Sequence, residues 1–318
     1  PLDGCIKDAK KLAKLLKSSH IEAGAACMNF TCELLVSNSN SEEPRVSRTR
    51  LKKALKELFE DPHAETVLFY FSGHGFVNSL GGYLVTQDAS NYEEGISFNE
   101  LIKYANASKN KEILIILDCC QSGSFGNFTI SENQISNIRD GISILTASND
   151  QQLSLDTRNG GLFTLELCNA LEGGAADIFG NVTFTGAYRY IDRMFGAWDQ
   201  RPTLKTNTQK SVTLRRIEPN IGPVLFAKLH QHFPTIDYEI QLDPAFEPVR
   251  KLGDERKERQ FSELQTLANN GIVQPIDEEH MYYAAINSKK CRLTKLGQHY
   301  WRLSKSGISP YGGTPSQK

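Results

Sequence analysis

The chain has 318 residues, 39% of them hydrophobic and 23% charged, which is enough for about two domains and a buried core. Its 36 Lys and Arg residues nearly balance 37 Asp and Glu residues, so the net charge is -1. This balance excludes a uniformly basic nucleic-acid coat and an acidic tail protein, but not a local charged patch. No apolar run approaches ~20 residues, so we expect no transmembrane span and no membrane partner.

Three short apolar runs predict strands that are buried on both faces of a parallel sheet. The runs cover residues 66–71, 113–117 and 141–147. Helices with one apolar face are expected before and between them, at residues 8–16, 49–59 and 97–104. The last of these helices opens with a capping box formed by Ser97 and Glu100.

The elements that follow continue the alternation of strands and helices. They are a Gly-Gly turn entering a helix at 160–171, a helix at 183–195 and a closing strand at 211–214. This order predicts βαβ units and a three-layer α/β domain with a mostly parallel central sheet.

A domain boundary is expected near residues 217–222, where Pro219, Gly222 and Pro223 cluster. We therefore divide the chain into a domain at 1–217, a connector at 218–250, a second domain at 251–308 and a disordered Gly/Pro/Ser-rich tail at 309–318. The second domain is predicted to contain a helix at 260–268, a strand at 281–286, a turn at 287–290 and a helix at 293–303. This outline of helix, strand pair and helix predicts a small α+β, winged-helix-like domain.

The charge of the second domain does not by itself identify the type of partner that this domain binds. Between Arg250 and Lys305, Lys and Arg outnumber Asp and Glu by about four, which would allow weak contact with nucleic acid. A solvated charged face or a docking surface for a regulatory protein is favoured over a nucleic-acid partner. Tyr300 and Trp301 are expected in the core rather than as a platform for stacked bases.

The seven cysteines indicate a reduced compartment. Their number is odd and no CxxC pair occurs, so neither a zinc knuckle nor a complete disulfide framework is expected. A cytoplasmic location is the simplest interpretation, and it leaves thiols available for chemistry.

Two short motifs follow the first two predicted strands. Residues 72–75 read Ser-Gly-His-Gly, and residues 118–123 read Asp-Cys-Cys-Gln-Ser-Gly. In an open parallel sheet, reactive groups collect at the carboxyl ends of the strands, so a thiol and an imidazole are expected to face one another there. A nearby histidine promotes the thiolate, which is the nucleophilic form of cysteine. The glycines allow the backbone to approach a substrate carbonyl closely.

This pair of motifs resembles the caspase-like peptidases, and in particular their metacaspase branch. Residues 4–9 (Gly-Cys-Ile-Lys-Asp-Ala) resemble the family's G-C-x-x-D-A opening, and residues 160–164 resemble its G-x-F-T segment. The resemblance covers about residues 2–215. Many prokaryotic relatives couple such a peptidase to a sensing domain, so the resemblance implies a prokaryotic source and a regulatory second domain.

The resemblance assigns catalytic roles by position. Cys120 resembles the nucleophile, because it directly precedes x-Ser-Gly, and Cys119 takes the variable position. His74 resembles the general base that later protonates the leaving amine. The backbone amides of Gly75 and Cys120 would form the oxyanion hole.

Three further positions match the acidic S1 pocket of metacaspases, which holds the residue before the scissile bond (P1). They are Asp118, Asp8 and Ser72. Carboxylates there would select a protein or peptide substrate with P1 Arg or Lys. Caspases proper read P1 Asp with arginines, and this chain lacks their R-G after the nucleophile. Without the resemblance, each residue also has a structural interpretation. Asp118 could cap a turn, Asp8 could be a first-turn carboxylate that the helix dipole stabilises, and Ser72 could hydrogen-bond to a local backbone group.

The chain departs from the family pattern in three places. The leading strand expected before Leu2 is not included. Asp88, Glu93 and Glu94 are a sparse remnant of the acidic cluster of a calcium-dependent member, so we expect no cofactor and no metal, with calcium as the less favoured alternative. The segment at 125–140 offers only Arg139 as a basic self-cleavage site.

Three functions are therefore compared. The leading one is a cysteine endopeptidase that cleaves after Arg or Lys and is regulated through its second domain. The alternatives are a catalytically silent caspase-like scaffold and a winged-helix regulator that binds nucleic acid or protein.

Overall fold

The computed structural model describes residues 3–20, 26–36, 45–78, 81–90, 93–119, 138–147, 161–195, 201–247 and 254–311. The chain forms two compact units. Unit 1 comprises Pro1–Ala176 and Val182–Ile217, and unit 2 comprises Asp177–Asn181 and Glu218–Lys318.

Unit 1 alternates helices and strands along the chain. Its elements are α1 (Asp3–Leu16), β1 (Ser18–His20), β2 (Ala26–Met28), α2 (Arg48–Glu60), β3 (Thr66–Gly73), β4 (Gly75–Asn78), β5 (Gly81–Ser90), β6 (Glu93–Ser97), α3 (Phe98–Ala107), β7 (Glu112–Cys119), β8 (Ile142–Thr146), α4 (Leu162–Asn169), a π-helical turn (Ala170–Gly174), β9 (Asn181–Thr183), α5 (Phe184–Asp192), β10 (Thr203–Asn207) and β11 (Thr213–Arg216).

The central sheet has the strand order β10-β8-β7-β3. Strands β3, β7 and β8 run parallel, as predicted, and β10 adds an antiparallel edge. Because side chains alternate along a strand, Leu114 and Ile116 of β7 pack with α1, α4 and α5, whereas Ile113 and Ile115 pack with α2 and α3. The predicted three-layer arrangement with a mostly parallel sheet is therefore confirmed.

The predicted closing strand does not belong to this sheet. Strand β11 begins at Thr213 and pairs with β9 in a separate two-stranded sheet. The apolar pattern at 211–214 identified the strand but carries no information on its partner. The expectation that it closes the central sheet was wrong.

A second, antiparallel sheet of order β4-β5-β6 was not predicted. Leu84 of β5 and Ile96 of β6 are paired with each other and fully buried against the α2 and α3 layer. Glycines at 81 and 82 gave this segment the composition of a loop, which hid the alternation of its side chains.

The predicted capping box at the start of α3 is present on one side. Ser97 is the N-cap residue, and its hydroxyl accepts a hydrogen bond from the Glu100 amide at 3.2 Å. This bond satisfies one of the amides that a helix leaves unpaired at its N-terminus.

Gly141 is expected to be essential for the turn into β8. Its φ is +88°, and a Cβ there would lie 1.9 Å from the Lys111 carbonyl oxygen. We expect Gly141→Ala to lower the free energy of unfolding by about 2–4 kcal/mol, measured by urea denaturation. Gly81→Ala is the control, because its φ is +130° but nothing lies within 4 Å of the added carbon. An equal loss in both variants would contradict the clash at Gly141.

Unit 2 has its own core around a three-stranded antiparallel sheet of order β12-β14-β13. Its elements are α6 (Pro223–Ala227), α7 (Leu229–His232), β12 (Ile240–Gln241), a 3-10 turn (Pro244–Phe246), α8 (Glu255–Asn269), β13 (Val273–Ile276), α9 (Met281–Ile286), β14 (Lys290–Leu293) and α10 (Lys295–Lys305). The expected connector thus carries α6, α7 and β12. In the expected tail, the buried Tyr311 donates its hydroxyl proton to the Ile221 carbonyl at 2.5 Å.

The strand predicted at 281–286 is a helix, α9. Met281, Ala284 and Ala285 are buried, and their spacing of three and four residues is that of one helical face. Tyr282 and Tyr283 suggested a strand, but both side chains are exposed. The helices predicted at 260–268 and 293–303 are confirmed as α8 and α10, and Trp301 is buried in the core.

Candidate active site

The two predicted motifs lie at the ends of neighbouring parallel strands. The β3–β7 register pairs Ser72 with Asp118 and Gly73 with Cys119. His74 directly follows β3 and is exposed. Its carbonyl accepts a hydrogen bond from the Val85 amide at 3.0 Å, which holds the turn from the parallel sheet into β4. The histidine motif and the start of the cysteine motif are therefore level with each other.

The end of β7 separates two chemically different positions. Cys119 is only 4% exposed and packs on the α2 and α3 side of the sheet. Asp118, one residue earlier, points to the opposite side because side chains alternate. Cys120 and residues 121–123 lie outside the described residues. Gly75 is the first residue of β4 and pairs with Leu84.

Three sequence-predicted site residues come together on the α1 and α4 side of the sheet. The buried Asp8 of α1 accepts a hydrogen bond from the Gly161 amide at 3.0 Å. A Cβ on Gly161 would lie 3.5 Å from Asp8 Oδ2 and 3.1 Å from Asp118 Oδ2. Ser72 lies opposite Asp118 in the strand register. We call Asp8 and Asp118 the acidic pair.

Two further residues of the site were missed by sequence reasoning. Thr164 of α4 donates its hydroxyl proton to Asp118 Oδ2 at 2.6 Å, so the Tyr70 hydroxyl, 2.5 Å away, donates to Thr164. Tyr70 and Ser72 share one face of β3. The sequence did contain a signal for Tyr70. Tyr70 and Ser72 follow Leu68 at every second position, so they place two polar groups on one face of an otherwise apolar strand.

Burial and like charge shape the electrostatics of the acidic pair. The pKa of Asp118 is raised to about 6, chiefly by burial; hydrogen bonding from Thr164 opposes this rise, and the negative charge of Asp8 contributes to it. Burial, followed by the charge of Asp118, raises the pKa of Tyr70 well above its ordinary value. A cation placed beside Asp118 would relieve this repulsion, so the arrangement suits a guanidinium or ammonium group.

A family model of the Caspase domain, in the peptidase C14 group, matches residues 1–213. The chain belongs to the caspase domain family. Its membership supports a cysteine-peptidase type of function acting on protein substrates. A search of curated proteins gives no significant match.

The chain is similar to many solved structures, and two of them serve as examples. Caspase-1 from Spodoptera frugiperda has 17% identity and a TM-score of 0.44, covering 68% of this chain and 82% of that one. Protein GSU0716 from Geobacter sulfurreducens has 16% identity and a TM-score of 0.46, covering 69% of this chain and 89% of that one. The metacaspase type, the prokaryotic source and the winged-helix assignment stay predictions.

Asp88, one of the three acids considered for calcium, has a structural role in the caspase domain. Its carboxylate accepts hydrogen bonds from the Arg48 amide at 2.9 and 3.2 Å, at the start of α2. Over the described ranges, no three His, Cys, Asp or Glu side chains are grouped to hold a metal. Nor is any helix in these ranges long and apolar enough to cross a bilayer.

Arg139, the expected basic self-cleavage site, is tied to the caspase domain by three hydrogen bonds. Its guanidinium donates to the Asn110 carbonyl at 2.5 Å and to the Asp140 carbonyl at 2.6 Å. Its amide donates to Asn106 Oδ1 at 3.0 Å. For Arg139 to occupy a P1 site, its guanidinium would have to leave both carbonyls.

Proposed function

We propose that this caspase domain is a cysteine endopeptidase of the metacaspase type that cleaves peptide bonds after Arg or Lys. The observation that carries the proposal is the acidic pair, whose carboxylate oxygens converge on the space beside Gly161. A buried pair of like charges destabilises the fold, and a bound cation would offset their repulsion. Such a pair is therefore a candidate binding site for a cation.

Recognition of the P1 side chain follows from the acidic pair. Gly161 has no side chain that would stand against the two carboxylates, and the proposal places the substrate cation beside them. A guanidinium there forms charge-assisted hydrogen bonds, which are about twice as strong as neutral ones. The chain from Tyr70 through Thr164 holds Asp118 Oδ2, the oxygen that lies nearest to Gly161, in place.

The chemistry rests on Cys120 and His74. This assignment is supported by the β3–β7 register, in which Gly73 pairs with Cys119. His74 is the next residue in sequence after Gly73, and Cys120 is the next after Cys119. The Cys120 thiol gives its proton to His74, and Sγ bonds to the scissile carbonyl carbon. The Gly75 and Cys120 amides stabilise the oxyanion. The intermediate then collapses, the C–N bond breaks, and His74 protonates the leaving amine.

A water molecule completes the reaction. His74 takes a proton from this water, whose oxygen attacks the thioester carbon, and the C–S bond then breaks. His74 returns this proton to Sγ as the thiolate leaves, so the products are a carboxylate and the regenerated Cys120 thiol. No cofactor enters this sequence. Unit 2 is proposed to regulate the peptidase through a protein partner, with nucleic acid as the less favoured partner.

Cleavage of matched fluorogenic peptides tests the proposal. The set carries P1 Arg, Lys, citrulline, Leu or Asp, and citrulline is the neutral isostere of Arg. We expect kcat/KM for Arg and Lys to exceed that for citrulline at least ~100-fold, because only a cation satisfies both carboxylates. Equal cleavage after citrulline would refute the P1 assignment and keep the peptidase.

Calcium is varied in the same experiment. Rates in calcium and in a calcium chelator are expected to agree within about twofold. A large increase with calcium would contradict a cofactor-free mechanism. Absence of cleavage for all five peptides in both conditions would favour the silent scaffold instead.

A further inference from the structure

The histidine motif continues into a sheet that has two different faces. The β4–β5 register pairs Phe76 with Tyr83, and the hydrogen bond between His74 and Val85 extends the same register back by two residues. Side chains two apart on a strand share a face, and directly paired residues share it as well. His74, Phe76, Tyr83 and Val85 therefore lie on one face of this sheet.

The opposite face of the sheet is in the core, with Leu84 and Ile96 fully buried. On the face shared with His74, Phe76 is 43% exposed, and Tyr83 and Val85 are half-buried. None of these three belongs to a hydrophobic cluster of the described residues. A single exposed apolar residue is ordinary, but three on the face of a proposed general base form a continuous apolar surface.

The position of His74 decides which part of a substrate this surface would meet. A general base of this kind donates its proton to the leaving amine, so His74 lies on the leaving-group side of the scissile bond. The P1 side chain is instead assigned to the acidic pair, which is built from α1, β7 and α4. The surface beside His74 is therefore available to the residue after the scissile bond, P1′.

We propose that Phe76, Tyr83 and Val85 form a binding site for an apolar P1′ side chain of the substrate. This inference rests on the proposed function, because it uses the proton transfer assigned to His74. Substrates would then carry a basic residue followed by a large apolar one. Contact of a P1′ Phe or Leu with Phe76 removes apolar area of both groups from water, which P1′ Ala cannot match.

The test uses internally quenched peptides with P1 Arg and P1′ Phe, Leu, Ala or Asp. For the wild type we expect kcat/KM to be about 10-fold higher with Phe or Leu than with Ala. Phe76→Ala is expected to reduce this ratio to about twofold, and Phe76→Leu to retain most of it. Met28→Ala is the control, since Met28 is 83% exposed on β2, outside the sheets that carry His74. Its ratio should match the wild type.

A binding measurement separates this site from the proposed function. Labelled peptides with P1′ Phe or Ala are titrated with Cys120→Ala protein and followed by fluorescence anisotropy. Tighter binding of the Phe peptide by about 5-fold or more, lost in the Cys120→Ala/Phe76→Ala double variant, supports the site even if no peptide is cleaved. Equal affinities for the two peptides, or a preference that survives Phe76→Ala, would overturn it.

Discussion

Cys120→Ala is expected to lower kcat/KM for Arg peptides by about 10⁴-fold or more, while Cys119→Ala keeps it within about 3-fold of the wild type. The two thiols are adjacent in sequence but differ in their proposed surroundings. Cys119 is 4% exposed and packs on the α2 and α3 side of the sheet, away from the acidic pair. Only Cys120 follows the register that brings His74 level with the end of β7.

Stability measurements complete the comparison of the two thiols. Cys119→Ala removes a buried sulfur and is expected to lower the free energy of unfolding by about 1–2 kcal/mol. An arginyl chloromethyl ketone should alkylate the wild type at Cys120, as mapped by mass spectrometry of the digested protein. Loss of cleavage in Cys119→Ala with normal folding, or alkylation at Cys119, would show that Cys119 is the nucleophile and that the assignment to Cys120 is wrong.

Asp118→Asn is expected to weaken catalysis and to strengthen the fold at once. Removal of one charge from the acidic pair should lower kcat/KM for P1 Arg by about 100-fold or more, with little loss for P1 citrulline. Asp8→Asn should have the same selective effect on P1 Arg. Asp237→Asn is the control, because Asp237 is an exposed carboxylate of unit 2.

The gain in stability has a defined pH dependence. The pKa of Asp118 is about 6 in the folded chain and near 3.9 when unfolded, so between these values only the folded state holds the proton. The free energy of unfolding therefore falls as pH rises from ~4 to ~6 and is constant above that range. Asparagine does not ionise, so at pH 8 Asp118→Asn should be more stable than the wild type by up to about 3 kcal/mol.

Urea denaturation at pH 4 and pH 8 measures this difference. At pH 4 the wild type and Asp118→Asn should be nearly equally stable, because the carboxyl group is mostly protonated in the folded chain. A variant that is less stable than the wild type at pH 8 would show that Asp118 stabilises the fold. The P1 assignment would then lose its energetic argument.

The parallel sheet could be predicted because each of its three strands is apolar on both faces. In β7, all residues from Ile113 to Leu117 are buried. A short continuous apolar run of this kind is typical of a strand in a parallel sheet. The site positions followed from the same strands, since a polar motif directly after a buried strand must lie at the sheet edge. Asp8 was the exception, and only the family resemblance drew attention to it.

The remaining parts depend on contacts that are distant in sequence. Tyr70 and Thr164 are 94 residues apart, and no local pattern shows that their hydroxyls share a hydrogen bond. Strands β5 and β6 are stabilised by pairing with each other, so glycine and polar residues could hide them. In α9, burial of Met281, Ala284 and Ala285 outweighs the strand propensity of its two tyrosines.

Strand β8 is hydrogen-bonded on both edges, to β7 on one side and to β10 on the other. A single cut between β7 and β8 would leave these ladders and the shared core intact, with Leu114, Leu145 and Leu167 still in one buried cluster. The two fragments would therefore migrate together in gel filtration and separate only on a denaturing gel. Thermal unfolding of the nicked protein would also be a dissociation, so its midpoint would rise with protein concentration, unlike that of the uncut chain.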